Sequence, residues 1–136
     1  MSGLHVRIRA ANEQYALPVH EVLEVAELGE ITPVPGSGVN VLGVRNLRGQ
    51  VVPVVDLARL LDVPDASAPR RIVIADDAGR KAGLAVDEVI GVEELPEASE
   101  EVGSTHVARA ALVDGSLVGV VDIPSVLDVV QESSER

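Results

Sequence analysis

Residues 51–63 read VVPVVDLARLLDV, and residues 117–129 read LVGVVDIPSVLDV. At an offset of 66 positions the two segments share seven of their thirteen residues. A second pair of segments, ALPVHEVLEV at 16–25 and GLAVDEVIGV at 83–92, aligns at an offset of 67 with five identities. Matches in the same order and at nearly the same spacing indicate two copies of one unit, which predicts two similar subdomains.

Each copy has the pattern of a β-rich unit with one short helix. Valine is the commonest residue, and its branched side chain suits a pleated strand better than a helix. Tight turns are predicted at Gly49, in the turn that Asn46 opens, and at Gly115, because glycine reaches positive φ without steric cost. The strands after these turns end at Asp56 and Asp122, and aspartate is a favoured helix N-cap. We therefore expect many short strands and a short helix after each aspartate.

The charge balance argues against nucleic acid and anionic membranes as partners. The 136 residues carry 22 acidic and 11 basic side chains, for a formal net charge of −11. Binding to phosphates requires a surplus of Lys and Arg. The chain has no cysteine, and it has no apolar run near the ~20 residues that cross a bilayer. These features predict a cytoplasmic protein without direct membrane insertion.

Few residues in the chain suggest chemistry. His5, His20 and His106 are too widely spaced for a metal-binding pair, and the acidic residues between 87 and 101 match no calcium loop. Asp56 and Asp122 could form a symmetric carboxylate pair, but the residues that flank such pairs in aspartic proteases are missing. Helix capping explains both positions. We therefore predict no enzyme activity, no catalytic residue, no metal and no cofactor.

The segment 43–49, GVRNLRG, places two arginines and an asparagine in a glycine-framed turn between apolar strands. Arg48 allows two interpretations. Its guanidinium could fold back onto the carbonyl groups of its own turn, or a rigid turn could present its five N–H donors to a partner. The two interpretations are compatible, and the sequence does not separate them.

The run GVRNLRGQVVPVVDL, residues 43–57, resembles the signature of the CheW-like family of chemotaxis coupling proteins. In that signature a Gly-x-x-Asn-Leu-Arg-Gly turn leads into a Val/Ile-Pro-Val/Ile-Val-Asp-Leu strand. The resemblance extends to residues 15–25, 81–92 and 117–127 and so spans nearly the whole chain. It implies an all-β fold with short helices, in which two SH3-like β-barrel subdomains are related by a pseudo-twofold axis.

The repeat, which does not depend on the resemblance, agrees with that arrangement. We expect residues 1–136 to form a single CheW-like domain. Its repeats cover approximately 4–66 and 70–131, with one subdomain each. An exchange of strands at the boundary between the two units is left open.

The resemblance also implies a function and partners. It implies a non-enzymatic adaptor that couples chemoreceptors to the chemotaxis histidine kinase in a bacterial signalling array. The protein would be cytoplasmic and recruited to the membrane arrays through its partners. The barrel ends would meet the regulatory domain of the kinase, and the groove between the barrels would hold the cytoplasmic tip of a methyl-accepting chemoreceptor.

Five positions match places where the family contacts partners or supports those contacts, and they are Val22, Gly43, Arg48, Val89 and Val92. Plain core packing is the alternative for each valine. Two other functions remain open: a module of the same fold in another two-component pathway, such as surface motility or development, and a small enzyme or ligand-binding double barrel. A buried polar pocket with convergent charges would favour the last.

Overall fold

The structure, a computed structural model, describes residues 3–38, 40–64, 67–96, 100–101 and 106–134, with the backbone alone for 100–101 and 132–134. Within these residues the chain forms eleven strands and two α-helices. The strands are β1 (Leu4–Ala10), β2 (Glu13–Pro18), β3 (Val22–Glu27), β4 (Val41–Leu47), β5 (Gln50–Asp56), β6 (Arg71–Asp77), β7 (Arg80–Val86), β8 (Glu88–Glu94), β9 (Glu100–Glu101), β10 (Val107–Val113) and β11 (Ser116–Val121). The helices are α1 (Leu57–Leu60) and α2 (Ile123–Ser134), and a 3-10 turn covers Val19–Glu21.

The strands form two sheets of the same topology. The sheet of the first barrel has the order β3-β6-β7-β5-β4, and that of the second barrel has the order β8-β1-β2-β11-β10, extended by the short β9. When each strand is replaced by its repeat equivalent, the first order becomes the second. The parallel pair in each barrel is also equivalent, since Val54 pairs with Gly83 and Val120 pairs with Ala16. The all-β class with two SH3-like barrels is confirmed.

Each barrel takes strands from both repeats. The hairpin β1–β2 of the first repeat lies in the second barrel, between β8 and β11. The hairpin β6–β7 of the second repeat lies in the first barrel, between β3 and β5. The two repeats therefore exchange their first hairpins.

Bulges occur at equivalent places in the two barrels. The register between β3 and β6 shifts at Leu23, and the register between β8 and β1 shifts at Ile90, 67 positions later. The register between β4 and β5 shifts at Leu42, and that between β10 and β11 shifts at Ala108, 66 positions later. Because a bulge adds local twist, the same bends recur in both barrels.

The largest apolar cluster lies between the barrels and takes residues from both sheets and both helices. We call it the seam core; it consists of Val6, Ile8, Leu17, Val55, Leu57, Leu60, Val73, Ala75, Ala82, Leu84, Val86, Val121, Ile123, Val126, Leu127 and Val130. Smaller clusters fill the first barrel, around Ile72 and Ile74, and the second, around Val118 and Val120. The packing of each barrel is thus continuous with that of the other.

Pro53 lies in an interior strand, since β5 pairs with both β4 and β7. Proline is accepted there because the pairing with β7 begins only at Val54, so no ladder donor is missed on that side. The expectation of a short helix after Asp122 is wrong, because α2 has twelve residues.

Candidate protein-binding surface

The turn between β4 and β5 holds Arg48 on the surface. Leu47 pairs with Gln50, so the loop consists of Arg48 and Gly49, with φ of 51° and 84°. Positive φ at both positions is the geometry of a type I′ hairpin. The Asn46 Oδ1 atom accepts a hydrogen bond of 2.9 Å from the Gly49 N–H. The turn is therefore fixed by its own side chain, which leaves Arg48 free of any capping role.

The Arg48 guanidinium points away from the carbonyl groups of its own turn. Its side chain is 82% exposed, and Nη2 lies 3.2 Å from Oε2 of Glu24 on β3. The carbonyl-binding role belongs to Arg45, whose Nη1 donates to the carbonyl oxygens of Glu27 at 2.7 Å and Leu28 at 3.0 Å. The sequence contains both arginines but cannot separate these roles, because the acceptors are eighteen and seventeen residues away in the chain.

Gly43 is buried, and its lack of a side chain lets the backbone of Thr32 lie against β4. Its φ is 155°, and an added Cβ would lie 2.3 Å from the Thr32 carbonyl oxygen. Thr32 and Val44 exchange backbone hydrogen bonds of 2.8 and 2.9 Å beside it. The structure thus places Gly43 under the loop that precedes β4. Its role in partner binding stays a prediction.

The predicted valines lie on two equivalent edge strands. Val22 and Val25 on β3 pair with Ala75 and Val73 of the seam core. Opposed residues of an antiparallel pair share one face, so these valines extend the seam core towards the surface.

Val89 and Val92 on β8 occupy the same positions in the second barrel, where they pair with Ile8 and Val6. Val89 packs against the seam core, but Val92 is 60% exposed. The apolar seam is therefore more open on the β8 side.

The two aspartates at the ends of β5 and β11 bind backbone donors of the helices that follow. Oδ1 of Asp56 accepts from the Arg59 N–H at 3.3 Å, and Oδ1 of Asp122 accepts from the Ser125 N–H at 3.3 Å. The second oxygen of Asp56 also accepts from the Ser67 hydroxyl at 2.8 Å, which ties the connection between the repeats to the first barrel. Each carboxylate is thus engaged in its own barrel.

The hairpin at the end of the second barrel exposes apolar residues that the sequence analysis missed. Asp114 and Gly115 form its two-residue turn, with φ of 49° and 81°. Leu112 and Leu117 face each other across the strands before and after that turn, and both are exposed. The equivalent pair in the first barrel is Asn46 and Val51. The repeat offset identifies these positions, but alternation alone does not predict that both leucines lie outside.

The described residues contain no group of three or more His, Cys, Asp or Glu side chains able to hold a metal ion. Nδ1 of His5 lies 2.6 Å from the Gly3 carbonyl oxygen, and His106 contacts the Ser125 hydroxyl.

Burial raises the pKa of Tyr15, and the nearby Glu13 carboxylate raises it further. No helix in the described parts of the chain is both long and apolar enough to span a bilayer.

Two SH3-like barrels joined by an apolar seam define a double-barrel scaffold. Residues 5–131 match the family described as CheW-like domain. The chain belongs to the CheW-like domain family.

Individual relatives agree with this assignment. The chain is 34% identical over 122 residues to the chemotaxis protein CheW of Thermotoga maritima, covering 83% of this chain and 80% of that protein. It is 33% identical over 132 residues to the chemotaxis protein CheA of Salmonella typhimurium, covering 90% of this chain but 19% of that protein. The crystal structure of the scaffolding protein TtCheW from Thermoanaerobacter tengcongensis superposes with a TM-score of 0.78 at 28% identity and 89% coverage of both chains.

Proposed function

We propose that this protein is a non-enzymatic adaptor that couples chemoreceptors to the chemotaxis histidine kinase. The observation that supports the proposal best is the pair of equivalent edge strands whose valines continue the seam core to the surface. An amphipathic helix can bury its apolar stripe in such a groove. The helical tip of a chemoreceptor is the occupant that we propose.

The kinase contact is proposed from likeness of fold. The similarity to 19% of a CheA protein means that such a protein contains a segment related to this chain. Related barrels that pair end to end would use the exposed hairpin ends, at Val51 in one barrel and at Leu112 and Leu117 in the other. Binding to both partners would recruit this protein from the cytoplasm to the membrane arrays.

Arg48 provides the test of this proposal. Its guanidinium is exposed on a rigid turn, so Arg48→Ala removes a donor without removing packing. We expect the free energy of unfolding of the variant to lie within about 0.5 kcal/mol of the wild-type value, because exposed ion pairs contribute little to stability. We expect its binding to receptor-containing membranes and kinase, measured by co-sedimentation, to fall about tenfold.

Arg59→Ala is the control, since it removes another exposed arginine, on α1. Equal binding by the wild type and Arg48→Ala, with both shown to fold, removes Arg48 from the interface. Wild-type protein that sediments with neither partner contradicts the adaptor proposal. Capture of a different kinase and receptor would retain the adaptor role but assign it to another two-component pathway.

A further inference from the structure

Three arginines line one cavity between the start of β6 and the start of β8. The cavity has a volume of about 630 Å³, and its wall contains Arg9, Arg70 and Arg71 together with Val89. Glu27, Asp87 and Glu88 lie in the same wall. Three of the eleven basic residues of a chain with net charge −11 are thus gathered in one place.

Most of the acidic groups in this wall are already engaged. Arg9 lies 3.6 Å from Oδ2 of Asp87 and 3.5 Å from Oε2 of Glu88. The same Asp87 oxygen accepts a hydrogen bond of 3.0 Å from the Ala68 N–H. Arg9 therefore lies beside both carboxylates, and Oδ1 of Asp87 stays buried without a hydrogen-bond partner.

Arg70 and Arg71 are both exposed, and within the described residues neither forms an ion pair. Arg71 lies opposite Glu27 in the register of β3 and β6, and the ion pairs of the described residues do not include one between them. Two guanidinium groups thus face the cavity with at most one free carboxylate, that of Glu27, near them.

The fold itself does not require these two arginines. Their repeat equivalents, 67 positions earlier, are Gly3 and Leu4, which line a cavity of about 470 Å³ in the other barrel. The backbone is the same at both places: the Leu28 N–H donates to the Arg70 carbonyl oxygen, and the Leu95 N–H donates to the Gly3 carbonyl oxygen. At the same backbone position the first barrel therefore has two arginines, and the second barrel has a glycine and a leucine.

We propose that Arg70 and Arg71 bind carboxylate side chains of the chemoreceptor segment that occupies the groove; this inference rests on the proposed function. Val89 belongs both to the cavity wall and to the apolar seam, so a segment in the groove reaches the arginines. Arg70 and Arg71 are exposed and lack ion pairs within the described residues, so they are the groups of this cavity wall that can attract a carboxylate of the segment to a chain of net charge −11.

The double variant R70G/R71L introduces the two residues that the second barrel has at the repeat-equivalent positions. We therefore expect it to fold, as checked by circular dichroism and thermal unfolding. We expect its affinity for the receptor cytoplasmic fragment, measured by calorimetry at about 50 mM salt, to fall about tenfold. The difference should shrink at about 500 mM salt, since screening weakens the wild type more than the variant.

Arg71→Leu and Arg109→Leu form a matched pair, because each removes one guanidinium that is unpaired within the described residues, and Arg109 lines the other cavity. We expect a loss of about fivefold for Arg71→Leu and less than about twofold for Arg109→Leu. Arg71→Lys should bind better than Arg71→Leu but more weakly than the wild type, because it keeps the charge and loses the planar guanidinium.

Equal losses in Arg71→Leu and Arg109→Leu, or a loss that does not depend on salt, would overturn the inference. Full binding by R70G/R71L would overturn it while leaving the adaptor proposal intact. A wild-type protein that does not bind the receptor fragment would end both proposals.

Discussion

Gly43 is a residue whose replacement has a clear expected cost. A side chain there meets the Thr32 carbonyl carbon at 2.7 Å and oxygen at 2.3 Å, and φ of 155° is unfavourable for any residue with a Cβ. We expect Gly43→Ala to lower the free energy of unfolding by at least about 2 kcal/mol, measured by urea denaturation.

Gly91 on β8 is the matched control, because no heavy atom lies within 4 Å of an added Cβ. Gly91→Ala should change the free energy of unfolding by less than about 0.5 kcal/mol. If the two substitutions cost the same, the close approach of Thr32 does not explain Gly43.

Glu21 makes stability depend on pH. Desolvation raises the pKa of its carboxyl group, and the carboxylates of Asp77 and Asp122 raise it further, while His20 lowers it. The folded protein then holds a proton that the unfolded chain releases, so this group reduces stability as pH rises from the unfolded pKa through the folded one. Below the ordinary value of 4.5 both states are protonated and the loss disappears.

We therefore expect Glu21→Gln to be more stable than the wild type at pH 7, with the difference vanishing in acid. Thermal unfolding from pH 3 to 8 measures it. A variant that is less stable at neutral pH, or a difference that grows in acid, contradicts the assignment.

Among the elements, β1 of the second barrel differs from its repeat equivalent, β6 of the first barrel, in the residues that it buries. His5 and Arg7 are buried on the face of β1 opposite Val6 and Ile8. Their equivalents on β6 are Ile72 and Ile74, which belong to the apolar cluster of the first barrel. The second barrel thus keeps polar side chains where its counterpart is apolar.

The Arg7 guanidinium contacts two side chains, but one of its nitrogens has no hydrogen-bond partner. Its Nη1 donates to Oε1 of Glu93 at 3.0 Å, and its Nη2 contacts Oε1 of Gln14. Its Nε is buried without a hydrogen-bond partner. Desolvation of a charge in such a place offsets much of the attraction.

The first barrel supplies the replacement to test. The equivalents of Arg7 and Glu93 are Ile74 and Ala26, so the double variant R7I/E93A copies an apolar barrel that the same fold already contains. We expect it to be as stable as the wild type, or more stable by about 1–2 kcal/mol. Glu93→Ala alone should be destabilising, because it leaves the buried guanidinium without its carboxylate.

Chemical denaturation of the wild type, R7I/E93A and Glu93→Ala measures their free energies of unfolding. A double variant that loses more stability than Glu93→Ala alone would mean that the ion pair is a net source of stability. The second barrel would then depend on its polar interior.

The two helices differ although the repeat predicts the same length. After α1 the chain turns at Asp62, whose φ is 58°, and Pro64 follows. A residue in the left-handed region followed by proline is a typical end of a helix. The equivalent Asp128 lies inside α2, which has no proline beyond Pro124 and continues to Val130 in the seam core.

At the scale of the whole molecule, the exchange of hairpins makes each repeat incomplete. Residues up to Asp56 provide β3, β4 and β5 of the first barrel but not the β6–β7 hairpin that joins β3 to β5. The seam core also takes residues from both sheets. We expect separately produced fragments 1–66 and 67–136 to be unfolded alone and to form the native structure when mixed.

Circular dichroism and amide chemical shifts of each fragment, and of the equimolar mixture, measure this. The intact chain in the same buffer is the control. A fragment that folds by itself with dispersed shifts would contradict the dependence of each barrel on the other repeat.

The sequence alone determined the local chemistry and the doubling. Identities at offsets of 66 and 67 predicted two similar units, and valine content, glycine turns and aspartate caps predicted strands, hairpins and helix starts. These features depend on neighbours close in the chain, and for that reason a sequence reveals them. The family signature at 43–57 then indicated the barrels and the residues proposed for binding.

Only the tertiary structure decided which strands share a barrel and which charges remain uncompensated. Both repeats carry a similar hairpin, so pairing within a repeat and exchange between repeats satisfy the same local pattern. The choice depends on packing in the seam core. Likewise Arg45, Arg48 and Arg71 have the same side chain. Only residues distant in the chain decide that Arg45 donates to backbone carbonyl oxygens, that Arg48 lies beside Glu24, and that Arg71 has no ion pair among the described residues.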